Sequence, residues 1–173
     1  MGYWISLPFI AYLEVIFVID IEHRLIFVWV CIAGIIAAIP LGIWLRYSNP
    51  QVSSTLLQST GLTLLGGVAG FLIMLVVYYL GVLFNRLLSR LRKATIEEEA
   101  FGYGDVLVSA VIGLILGWPG VVAAVLLAIL LGGAFSAIYL AVKSARKKYQ
   151  AFTAIPYAPF LIIATILLLY LSK

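Results

Sequence analysis

The sequence predicts an all-α, polytopic membrane helix bundle of about six transmembrane helices, with both termini on the outer side. Three observations predict it. The chain of 173 residues is 65% hydrophobic and only 10% charged. A soluble domain of this size could not cover its surface with so few charges. The apolar residues fall in six runs of spanning or near-spanning length, since a helix needs roughly 20 apolar residues to cross the hydrocarbon. The basic residues sit in short clusters between those runs, where they act as topology signals.

The expected spans cover residues 3–20, 25–45, 62–84, 105–118, 121–142 and 154–171. No alternation of period two competes with the helical reading. The first run opens on MGYWISLPF, without a basic leader or a small-residue cleavage site, so it reads as a retained span. With the N-terminus outside, Arg24, Arg86, Arg90, Arg92, Lys93, Lys143, Arg146, Lys147 and Lys148 fall inside. Only Arg46 and Lys173 fall outside. That asymmetry sets the orientation, and it makes the net charge of +4 a topology signature, with no nucleic-acid partner implied. The single Cys31 excludes an intrachain disulfide and a multi-cysteine zinc site. Residues 1–173 read as one membrane-embedded domain.

Glycines recur at spacings that let helices approach closely. Gly66 and Gly70 form GxxxG in the third run, Gly113 and Gly117 do so in the fourth, and Gly132 and Gly133 lie in the fifth. They are expected to pack helices within one bundle.

The seven acids carry the functional signal. Glu22 belongs to the turn EHR, and Glu97, Glu98 and Glu99 to the long loop before the fourth run. Glu14, Asp20 and Asp105 lie within or at the edge of spans, where an ionisable group is costly and points to function. Asp20 is about 24 Å along a helix from Trp4, and Asp105 about 20 Å from Trp118. Against a hydrocarbon core of about 30 Å, both stop at a similar depth on the same side. That is where a carboxylate pair would form. Glu14 lies about 9 Å deeper than Asp20 and about 120° around its helix. It is expected to be a protonated or hydrogen-bonded structural acid. His23 reads as a hydrated interfacial histidine. Gly102 and Gly104 are expected to let the chain turn tightly before a helix that starts at Asp105.

Three blocks now stand together. VIDIEHRLI contains Asp20. EAFGYGDVLVSAVIGLILGWPG contains a GxGD pattern ending at Asp105. IPYAPFL, in the last run, contains Pro156 and Pro159. In their order and placement they resemble the type IV prepilin peptidases, bacterial members of the GxGD membrane aspartyl proteases. The resemblance covers nearly the whole chain. It implies that Asp20 and Asp105 are the catalytic pair, with Gly102, Gly104, Pro156 and Pro159 as supporting motif residues. It implies an aspartic endopeptidase that removes the leader of type IV prepilins or prepilin-like proteins at the cytoplasmic face of the bacterial inner membrane. Its partners are then prepilin or pseudopilin substrates and the lipid bilayer. No metal or cofactor is implied. Many family members carry a cysteine-bearing region tied to N-methylation, so a short peptidase-only form is expected here.

Phe27 stands where the family usually has proline, and Leu107 where it often has lysine. These departures motivate a second reading, a catalytically degenerate paralogue that binds pilins. A third reading is a small proton or cation transporter using the two aspartates. One carboxylate taking a proton from water while its partner donates to the scissile carbonyl is the chemistry the pair would supply. Helix dipoles assign the roles: Asp105, at a helix N-terminus, as the base, and Asp20, at a helix C-terminus, as holder of the shared proton. Family leaders are basic, and the acidic run Glu97 to Glu99 is a possible leader-binding site.

Overall fold

The computed structural model describes residues 3–23, 27–49, 52, 55–92, 102–145 and 157–171. They form six α-helices: α1 Tyr3–His23, α2 Val28–Tyr47, α3 Leu56–Arg92, α4 Tyr103–Leu116, α5 Gly120–Ala145 and α6 Ala158–Leu171. There is no strand among the described residues. Each expected span has its helix. Three helices, in α2, α3 and α5, are long and apolar enough to cross a membrane on their own. The helices α4 and α6 are shorter, at 14 residues each. The third span is longer than expected. At 37 residues, α3 reaches about 55 Å, well beyond the hydrocarbon thickness.

The short α4 is the centre of the bundle. Its sequence YGDVLVSAVIGLIL is apolar on every side, which is the pattern of a helix surrounded by others. Asp105, Val106 and the whole stretch from Val108 to Ile115 are buried. Helices α2, α3, α5 and α6 pack around it, and α1 packs mainly on α6. The core joins Val108, Val111 and Ile112 of α4 to Leu13 and Ile16 of α1, Cys31 of α2, Met74 of α3, Val125 of α5 and Leu161 of α6. Side chains such as Trp29, Leu57, Leu130 and Ile138 point outward, as expected where lipid is the solvent.

The glycine spacings explain how α3 and α4 meet. A Cβ on Gly66 would collide with the Gly113 carbonyl oxygen, and a Cβ on Gly113 with that of Gly66. Further along, a Cβ on Gly70 would strike the Ser109 carbonyl, while Ser109 Oγ donates to Gly70 O at 3.0 Å. At the far end the rings of Tyr78 and Tyr103 meet edge to face, 6.3 Å between centroids. The two helices therefore run antiparallel with their backbones in contact. This is close packing of the small-residue type.

The opposite end of α4 holds a surprise. Arg46, expected at the outer face as a topology residue, is buried at 6% exposure. Its Nη1 donates to Gly42 O at 2.9 Å, to Thr63 Oγ1 at 2.7 Å and to Leu114 O at 3.2 Å. Its Nη2 donates to Ile115 O at 2.9 Å. Leu114 and Ile115 are in the last turn of α4, whose carbonyls lack partners along the helix. A guanidinium there answers both the orphan acceptors and the negative end of the dipole. Gly117 follows with φ 68 and ψ −175, a region that essentially only glycine occupies. A Cβ at Gly117 would also collide with the Arg46 guanidinium.

Candidate active site

Asp20 lies in the last turn of α1, on the face that carries Phe9, Leu13 and Ile16 into the core. Asp105 lies in the first turn of α4. Both are buried, at 5% and 4% exposure. Neither is the solvated acid that a membrane rim would leave. The fold brings them together, near enough for the charge of one to act on the other.

Each carboxyl is held at a helix N-terminus. The Gly102 N–H donates to Asp105 Oδ2 at 3.3 Å, and the Asp105 N–H donates back to Gly102 O at 3.1 Å. This reciprocal pair closes the start of α4. The backbone N–H of Ala158, first residue of α6, donates to the Asp20 carboxyl. Pro159 sits one residue further on, buried, where the missing proline N–H costs nothing because first-turn donors lack helical partners anyway. The Tyr157 carbonyl accepts from Phe160 and Leu161 at 3.0 and 3.3 Å and starts the helix. The segment that carries Pro159 thus presents the N-terminus of α6 to Asp20.

Two expectations need correction here. The helix starts at Tyr103, two residues before Asp105. Gly102 is ordinary extended backbone, at φ −80 and ψ 144, and a Cβ there would meet nothing closer than 3.9 Å. Its contribution is the N–H that holds Asp105, not unusual backbone. Gly104 lies inside the first turn, half-buried. The second correction concerns helix dipoles. Asp20 does end its own helix, but it also faces the N-terminus of α6. Both acids therefore sit against a positive helix end, and dipoles do not separate their roles.

Two further polar groups share the site, and sequence reasoning missed both. The Cys31 thiol and the Tyr157 phenol are buried and lie within the electrostatic reach of Asp105. Tyr157 is inside the quoted IPYAPFL block, but only the prolines of that block carried a signal. Glu97, Glu98, Glu99 and Pro156 lie outside the described residues. Phe27 is exposed at the start of α2, and Leu107 is half-buried in α4. Glu14 is exposed, and it makes no hydrogen bond or ion pair with a described residue, so the hydrogen-bonded alternative is not met among them.

The fold and site together define a membrane-embedded helix bundle with two buried carboxyls at helix ends, within electrostatic reach of each other. The profile of the type IV leader peptidase family matches residues 7–137, which include both aspartates and the glycine-packed α3–α4 pair. The chain belongs to that family, and its function is that of a peptidase of the type IV leader peptidase kind. No curated protein and no solved structure matches the chain.

Proposed function

We infer that this chain is an aspartic endopeptidase that removes the leader from type IV prepilins or prepilin-like proteins at the cytoplasmic face of a bacterial inner membrane. The observation that carries the reading is the burial of Asp20 and Asp105, from different helices of a family peptidase, within electrostatic reach of each other. Burial of paired carboxyls is costly and calls for a purpose.

In the proposed reaction one carboxylate takes a proton from a water molecule, and the water oxygen attacks the scissile carbonyl carbon. The partner carboxyl gives its proton to the carbonyl oxygen. Collapse of the tetrahedral species breaks the C–N bond: the leaving amine takes a proton from the acid formed in the first step, and the partner carboxylate recovers its proton from a hydroxyl of the gem-diol, which becomes the new carboxyl group. Each acid ends in its starting state. The Gly102 and Ala158 N–H groups orient the two carboxyls. Gly104 and Pro159 lie in the first turns of α4 and α6, next to the N–H groups that hold the two acids. The acidic run Glu97 to Glu99, six to eight residues before Asp105, receives the basic leader.

The test is incubation of the purified, membrane-reconstituted protein with a prepilin, followed by mass analysis. The expected product has lost its leader in a single cut just before the hydrophobic helix. Persistence of the intact substrate, with the protein folded, would count against the assignment.

A further inference from the structure

Helix α1 reads YWISLPFIAYLEVIFVIDIEH, and only Glu14, Asp20 and Glu22 in it carry a carboxyl. Asp20 points into the bundle with Leu13 and Ile16, all of them buried. Glu14 is six residues earlier, about 120° around the helix at 100° per residue. It is exposed, on the same side as Ala11, Val15, Val18 and Ile21. In a helix of 21 residues, Glu14 lies about 14–17 Å from either end. That is the middle of the hydrocarbon layer, about 30 Å thick.

A carboxyl at that depth is costly against lipid. Intramembrane acids face a protein interior or a water-filled cavity and find a polar partner. No described residue of this chain supplies one to Glu14. The surroundings of Glu14 are those of a helix–helix seam. Ala11, Glu14, Val18 and Ile21 follow one another at steps of three, four and three residues, the spacing of packed helices. Ala11 is small enough to let a second backbone come close. One polar residue in an otherwise apolar seam sets the register of the pair.

The occupant of this face must carry a hydrogen-bonding group at the same depth. A second copy related by a two-fold axis along the membrane normal meets that requirement by symmetry. Rotation about that axis leaves depth unchanged, so α1 runs parallel to its image and Glu14 meets Glu14. One carboxyl can donate to the other across the axis. A substrate helix does not fit as well, because its scissile bond must reach the Asp20 side of α1, a third of a turn away. We propose that the Ala11–Glu14–Val18–Ile21 face of α1 is a self-association surface through which two copies of this chain pair in the membrane, Glu14 against Glu14.

The experiment uses the full chain in lipid vesicles. A cysteine is introduced at Val18, on the seam, or at Leu130, exposed at 69% on α5. The native Cys31 is buried in both. On mild oxidation, Val18→Cys should give a covalent dimer and Leu130→Cys should not. Adding Glu14→Leu should lower the dimer yield at least five-fold, whereas Glu14→Gln should keep it, because an amide still donates and accepts. Single-molecule photobleaching should show two steps for the native chain and one for Glu14→Leu. A monomeric native chain, equal cross-linking at Leu130, or a dimer indifferent to Glu14→Leu would each overturn the proposal. Leader cleavage, assayed in parallel, reports on the catalytic reading separately. A cross-linked dimer that fails to cut prepilin leaves the surface standing and removes the assigned reaction.

Discussion

Gly66 of α3 and Gly113 of α4 press backbone to backbone, each occupying the space where the other's Cβ would stand. Because α4 carries Asp105, this contact sets where the helix of one site acid lies. Gly66→Val and Gly113→Val should each destabilise the bundle by about 1–3 kcal/mol or more, the usual cost of overpacking. Gly61→Ala and Gly133→Ala, where a Cβ meets open space, should be neutral or slightly stabilising. Thermal unfolding midpoints in detergent would distinguish the two classes. Equal tolerance at all four positions would contradict the packing described.

Asp20→Asn and Asp105→Asn should each leave the protein folded in the membrane and lower kcat for leader cleavage by at least 10²-fold, the lower range for a lost acid–base group. Each acid receives a backbone N–H from a helix N-terminus. The two losses should therefore agree within about tenfold, as expected of residues that act as a unit. Single-turnover cleavage of a prepilin checks this. Substantial processing by either variant would remove that residue from the reaction.

Arg46 satisfies the Leu114 and Ile115 carbonyls at the end of α4. Arg46→Met should leave these acceptors unpaired in the bundle, at about 1–3 kcal/mol for each buried group. Arg46→Lys should be intermediate, since an ammonium lacks the planar fork that spans several acceptors. The readout is the unfolding midpoint. A Met variant as stable as the native chain would show that the guanidinium contacts contribute nothing.

Gly117→Ala should destabilise by about 1–3 kcal/mol, since its φ of 68 with ψ of −175 suits glycine alone. The Arg46→Met change should relieve part of that penalty, because the guanidinium occupies the space the new Cβ needs. A double-mutant cycle on the unfolding midpoint measures the coupling. Strict additivity would argue against the contact.

Changing Glu97, Glu98 and Glu99 together to Gln should raise KM for a basic leader and flatten its salt dependence. Surface charge effects fade with salt because the screening length is about 8 Å near physiological ionic strength. An unchanged KM would defeat the leader-binding role.

The class of fold was written in the sequence because the bilayer admits few solutions. Long apolar stretches there must become helices that satisfy their own backbone, and the six runs became six helices. Asp20 and Asp105 stood out as candidates for the same reason, since an acid in an apolar run is conspicuous, and both are buried. The glycine spacings announced close packing but not their partners. Only the tertiary structure decided that α4 is the buried centre, that Asp20 faces the N-terminus of α6 and that Arg46 ends α4. Ala158 lies far from Asp20 along the chain, and Leu114 far from Arg46. Local patterns record burial and periodicity. They hold no trace of which distant backbone group will be left without a partner and which side chain the fold will bring to it. Glu14 shows the same limit in reverse. Its cost at mid-membrane depth could be read from its position, but only the packing of α1 turned it outward.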